Sequence, residues 1–126
     1  MSNHVHLIAS AKEGFKLSDI LRDLKRHTSK AIPESIQNNP QESRREWMMW
    51  IFKSAGKSNA NNKDYQFRQQ DNRPIRLSTS EMAEQRLAYI HQNPVHERLV
   101  AEPHHYIYSS PLDHSGGKGL LEIDFL

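Results

Sequence analysis

The longest apolar run in the chain, Trp47-Met48-Met49-Trp50-Ile51-Phe52, constrains the fold more than any other feature. Six apolar residues in a row leave a helix no polar face across that stretch. Ser43-Arg44-Arg45-Glu46 ahead of the run has the form of a capping box, and Gly56 beyond it is a natural C-terminal glycine. A short helix is therefore expected here, buried on more than one side. The run is far too short to span a bilayer, which takes about 20 apolar residues. Its two tryptophans also suit stacking on bases. Core or subunit-contact packing is the favoured reading, because a solvent-facing platform has no use for six apolar neighbours.

The rest of the chain has to supply the cover. At 126 residues it is read as a single domain, 1–126, with one modest core. It has no cysteine, which excludes disulfides and thiolate metal sites and suits the cytosol. Asn3-His4-Val5-His6 interrupts any apolar N-terminal segment, so no signal peptide is expected. Residues 3–9 read as a strand and Ala9 to Gly14 as a loop. Ser18 is the expected N-cap of a helix, with Asp19 in its first turn, and Pro33 stops that helix near Ile32. Leu17, Ile20, Leu21, Leu24 and Ala31 form its apolar stripe. Pro33 to Pro40 is a polar connection, and Lys57 to Lys63 reads as a mobile loop. Tyr65 to Gln70 alternates as a strand does, Asp71 to Pro74 is a turn, and Ile75 to Leu77 is a short extended piece.

A second long helix starts around Ser78 to Ser80, with Glu81 and Glu84 in its first turn. Ala83, Leu87 and Ile90 make its buried stripe, and Pro94 sets its end at Asn93, whose amide is expected to reach outward. Glu102-Pro103 breaks the next segment. His104 to Ser110 is then a short turn packed by Tyr106 and Ile107, and Gly116-Gly117 a flexible joint. Leu121, Ile123 and Phe125 alternate with Glu122 and Asp124, so the tail reads as a strand or a docking segment.

Charge is unevenly spread. Residues 1–76 hold fourteen of the 17 basic and eight of the 15 acidic residues, and the remainder is net acidic. Arg22, Arg26 and Lys30 line one helix face with Lys25 beside them. That row is either a solvated surface or a groove wall for single-stranded nucleic acid.

Two short stretches carry the chemistry. In Asn3-His4-Val5-His6-Leu7-Ile8, two imidazoles separated by one residue point the same way off a strand and can share one divalent ion. In Tyr89-Ile90-His91-Gln92-Asn93-Pro94-Val95, Tyr89 and Asn93 are four residues apart and share a helix face, with Gln85 one turn earlier. The plain alternatives are two metal-free strand histidines and an ordinary surface tyrosine. Tyr89 lies opposite the Ala83-Leu87-Ile90 stripe, so core packing does not explain it. Neighbouring His104 and His105 are expected to diverge, and His27, His96 and His114 have no partner at a ligand spacing.

These two stretches, in this order, resemble the hallmarks of the single-strand DNA transposases of the HUH class (His, hydrophobic, His), and most of all the REP-associated tyrosine transposases. The likeness implies that Tyr89 is a nucleophile and that His4, His6 and Asn93 hold Mg2+ or Mn2+. Gln92 and His91 are alternative ligands at a poorer helical angle. It implies a 5′-phosphotyrosine and a free 3′-hydroxyl on hairpin-forming single-stranded DNA. Arg22, Lys25, Arg26 and Lys30 are then candidates for backbone contacts, and Gln85 for a substrate contact. A phenol suits this transfer: the phosphotyrosine conserves the energy of the broken diester.

The implied fold is α+β: a small antiparallel sheet with packed helices, ferredoxin-like, incomplete or completed by a partner chain. Relatives carry a strand before the His-x-His strand, so the chain reads as N-terminally shortened, and a homodimer is expected. The implied location is the cytoplasm, on the nucleoid when DNA is bound, with no membrane partner. Two further departures, Arg68 in place of an aromatic residue and Pro111 in place of a small or polar one, leave His4, His6, Tyr89 and Asn93 untouched. Two other functions compete: a catalytically inactive DNA-binding remnant, and a metal-dependent hydrolase in which Tyr89 is dispensable.

Overall fold

The computed structural model describes residues 4–58, 64–68 and 72–126. Helices make up 51% of the described residues, and no strand is present among them. This corrects the expected α+β, ferredoxin-like sheet: the described chain is all helical. The extended pieces assigned to a sheet are engaged otherwise. Residues 64–68 lie against a helix, where Gln66 N donates to Phe52 O at 2.8 Å. The Phe67 ring meets Phe52 edge to face at 5.2 Å. Residues 4–8, 75–77 and 121–125 form no ladder, and Val5 and Leu7 are both exposed. Alternation in sequence shows only that a segment can lie in a sheet; a ladder also needs a partner strand in register. Asn3, Gln69, Gln70 and Asp71 lie outside the described residues, as do Asn59 to Lys63 of the expected loop.

The chain divides into two compact units, residues 9–73 and residues 1–8 with 74–126. The first holds α1 (Leu17–Asn38) and α2 (Arg45–Lys57), packed on each other. Helix α1 runs through Pro33 rather than stopping at Ile32. Proline removes one backbone donor and crowds the preceding turn. Pro33 is nonetheless fully buried, so packing outweighs the local rule. The N-cap is Lys16, not Ser18, and makes no side-chain cap bond. The capping box also fails to form: the α2 N-cap is Arg44, again without a side-chain cap. Glu42 captures this turn instead, accepting from Arg44 N at 3.0 Å and Arg44 Nε at 3.2 Å. Those contacts hold its carboxyl below the usual range.

The apolar run is not buried on more than one side. Trp47 and Trp50 are 59% and 66% exposed, while Met48, Met49, Ile51 and Phe52 are half-buried. Gly56 is buried in the last turn of α2, with the Tyr65 backbone against it. Arg68 joins residues 64–68 to α1, its Nε donating to Thr28 Oγ1 at 3.0 Å.

The second unit holds α3 (Ser80–His96), a 3₁₀ turn (Pro103–His105) and α4 (Pro111–His114). Thr79 caps α3, its hydroxyl accepting from Met82 N at 3.2 Å. The 3₁₀ turn packs against both α3 and α4. Gly116 follows α4 in the left-handed region, at φ 86°, which only glycine enters without strain. Gly117 N then donates to Leu112 O at 2.9 Å, so the glycine pair is a tight helix-ending turn and not a flexible joint. Among the described residues, no helix is long and apolar enough to cross a membrane.

Candidate functional site

Helix α3 presents Gln85, Tyr89 and Asn93 at four-residue intervals. Gln85 is exposed, Tyr89 is 50% exposed and Asn93 is 8% exposed. Asn93 is the one buried polar side chain among the described residues. Pro94 does not end the helix: α3 continues to His96, where Glu97 N caps Asn93 O and Val95 O. The expectation of an outward-reaching amide is thereby corrected. Asn93 instead turns inward, and its Nδ2 donates to His6 Nε2 at 3.3 Å. That assignment fixes the Nδ1–H tautomer of His6; a half-turn of the amide presents Oδ1 in the same place.

His6 is the hub. Its ring lies 4.8 Å from that of His4, edge to face at 87°. It lies 5.5 Å from the ring of Tyr89, at 80°. The structure thus brings His4, His6, Tyr89 and Asn93 together from two distant stretches. Burial, and secondly the neighbouring His4, hold His6 below the ordinary imidazole value. It is therefore neutral at pH 7, the form that can act as a metal ligand.

Among the described residues, no group of three or more His, Cys, Asp and Glu is arranged to hold a metal. A site here has to recruit an amide, and Asn93 is the amide in contact with the histidines. Two imidazoles and an amide oxygen form a mixed nitrogen and oxygen donor set that suits a divalent ion. The residues present fit such an ion.

Beside the pair lies a cavity of about 390 Å3. Its lining divides by chemistry into imidazoles (His4 and His6), apolar groups (Val5, Ile90 and Pro94) and hydroxyl-bearing residues (Tyr106, Tyr108 and Ser109). The last three were not singled out from sequence as site residues. The spacing that pairs His4 with His6 also pairs Tyr106 with Tyr108, whose rings lie 5.8 Å apart. That spacing was the available signal.

The other histidines are placed differently from expectation. His91 Nε2 is hydrogen-bonded to Ser110 Oγ at 2.9 Å, so its ring is committed away from the His4–His6 pair. Burial, with His114 as the second cause, lowers its pKa. His114 is a packing residue, its ring edgewise to His91 at 5.1 Å and to Phe125 at 5.0 Å. His104 and His105 do not diverge: their rings are 4.4 Å apart, and His104 Nδ1 is 3.5 Å from Glu102 Oε2. Gln92 is exposed.

The basic row lies on α1, in the other unit. Arg22 is paired with Asp19 at 2.8 Å and with Asp23 at 3.0 Å. The Asp23 contact leads in raising its pKa, and Arg22 in turn lowers that of Asp23. Acidic residues therefore interrupt the row. Lys25 is half-buried, while Arg26 and Lys30 are exposed. No family model matches the chain, and comparisons with curated proteins and with solved structures found no match.

Proposed function

We propose that this chain is a transposase of the HUH class that cleaves and rejoins single-stranded DNA at hairpin-forming ends through Tyr89. One observation carries the reading: the Tyr89 phenol ring and the Asn93 amide both meet His6, which in turn meets His4. A nucleophile and a metal-ligand set are thereby supported in one place.

The Tyr89 hydroxyl attacks the scissile phosphorus and gives up its proton. A new phosphorus–oxygen bond forms to the phenol as the bond to the 3′ oxygen breaks, and that oxygen leaves as a 3′-hydroxyl after taking a proton. Attack by another 3′-hydroxyl on the phosphotyrosine reverses the step and joins the strands. His4, His6 and Asn93 would hold Mg2+ or Mn2+, which would supply electrostatic stabilisation of the charge that develops on the phosphate. Asn93 and Tyr89 share one helix, so the ligand position and the nucleophile are set together. Arg26 and Lys30, with Lys25, are the backbone contacts of choice; Arg22 is weaker in that role because Asp19 and Asp23 occupy it. Gln85 contacts DNA one turn before Tyr89. The protein acts as a homodimer in the cytoplasm, on the nucleoid when DNA is bound.

The test is incubation with labelled single-stranded hairpin DNA and Mg2+ or Mn2+, followed by a denaturing gel. A covalent protein–DNA band, lost in Tyr89→Phe, in His4→Ala and with chelator, is the expected result. Cleavage that survives Tyr89→Phe refutes the tyrosine mechanism in favour of water activation. Binding without cleavage identifies an inactive DNA-binding remnant.

A further inference from the structure

We infer that the cavity beside the histidine pair is a nucleobase subsite, in which Tyr108 provides the stacking face and Tyr106 holds it in place. The inference rests on the proposed DNA chemistry and names the part of the substrate that this corner of the site reads. The cavity, at about 390 Å3, is within the size range of small-ligand sites. Among the described residues, its lining includes no lysine, arginine or carboxylate. Away from the His4–His6 pair, the described lining offers a phosphate no countercharge, whereas a flat uncharged ring finds matching surface.

The two tyrosines are differently exposed. Tyr106 is half-buried; Tyr108 is 74% exposed. Their rings meet at 72°, so Tyr106 braces Tyr108 edgewise and leaves ring surface free. Aromatic faces bind bases without demanding one sequence, since every base has a π-face. Ser109 in the same lining adds a hydroxyl able to donate to or accept from a base edge. The next residue, Ser110, is hydrogen-bonded to His91 of α3, which fastens this segment to the helix that carries Tyr89. The wall of the cavity and the nucleophile are therefore mounted on one support.

His4 and His6 belong both to the proposed ligand set and to the cavity lining. A base in the cavity is thus next to the reacting phosphate. It is the base of a nucleotide joined to that phosphate, not one of the hairpin stem. The subsite reads the single-stranded flank.

The experiment uses the full chain as Tyr89→Phe, so that DNA is held without being cut. The probes are hairpin oligonucleotides whose flank carries 2-aminopurine at each position in turn, with a matching series of abasic sites. Fluorescence quenching is expected at one flank position, and the abasic site there weakens binding about tenfold. Adding Tyr108→Ala removes the quenching and makes the abasic and intact probes bind alike, while Tyr108→Phe retains both effects. Tyr108 is exposed, so the alanine variant is expected to fold. Hairpin binding with no quenched position, or an abasic penalty unchanged by Tyr108→Ala, overturns the subsite while leaving the DNA reading intact. Failure to bind any probe overturns the DNA reading and the subsite with it. Quenching together with a wild-type protein that does not cut supports the subsite and refutes only the transfer step.

Discussion

Replacing Gly56 with alanine tests how residues 64–68 are held on α2. In an isolated helix this change stabilises by about 1 kcal/mol. Here an added Cβ meets Tyr65 Cα at 2.6 Å and Tyr65 N and C at 2.9 Å each. Ordinary carbon contact begins at about 3.5 Å, so the segment has to retreat by roughly 1 Å. The obstructing atoms are backbone, and no side-chain rotation relieves them. The bond from Gln66 N to Phe52 O, 2.8 Å long, does not survive that retreat, and the Phe52–Phe67 contact loosens with it. Their loss costs about 1 kcal/mol for the hydrogen bond and about 1 kcal/mol for the ring pair. Renewed exposure of the two half-buried phenylalanines adds about 1 kcal/mol more. After the helical gain, the net expectation is a destabilisation of about 2 kcal/mol. Urea unfolding followed by tryptophan fluorescence measures it directly, because Trp47 and Trp50 both lie on α2. Unchanged or increased stability of Gly56→Ala would refute the claim that close backbone approach requires this glycine.

Other expectations are independent of that one. His6 and His91 are both held below the ordinary imidazole value of 6.5. As pH falls below 6.5 the unfolded chain takes up protons first, so stability is full above that pH and is lost progressively toward the lowered values; histidine proton shifts followed by NMR, with melting at each pH, check both sign and window. Asn93→Ala removes the His6 partner and the proposed third ligand, and is expected to weaken Mn2+ binding by about tenfold or more, read from paramagnetic broadening of the His4 and His6 signals. Equal broadening in the variant would exclude Asn93 from the ligand set. Trp50→Ala is expected to cost under about 1 kcal/mol in urea unfolding, against about 3–5 kcal/mol for a buried aromatic, because two thirds of the side chain is already exposed.

The parts of this protein legible in its sequence are those governed by short spacing. A period near four residues placed Gln85, Tyr89 and Asn93 on one helix, and the His-x-His spacing anticipated two imidazoles side by side. The failure of the expected sheet to form was not legible, because pairing depends on where residues 64–68 find a partner, and Phe52 and Thr28 offer them one on helices. Local helix rules failed wherever packing or a competing side chain outbid them. Pro33 is buried in mid-helix, and Glu42 takes the turn assigned to Ser43. Tyr106 and Tyr108 were visible as residues, but their place in the cavity lining comes from the turn that carries them back to α3.

One limb of the site is stiff and the other is soft. Tyr89 and Asn93 ride on a single hydrogen-bonded helix, so thermal tilting of α3 carries both along and hardly changes the distance between them. His4 and His6 sit on an extended segment without a ladder, positioned by side-chain contacts to that helix. Fixing the backbone of such a segment costs about 1–2 kcal/mol for each residue ordered. Alignment error therefore concentrates in the His4–Ile8 limb. Whatever orders those residues would act as a throttle on the proposed transfer while leaving the helix that carries Tyr89 unchanged.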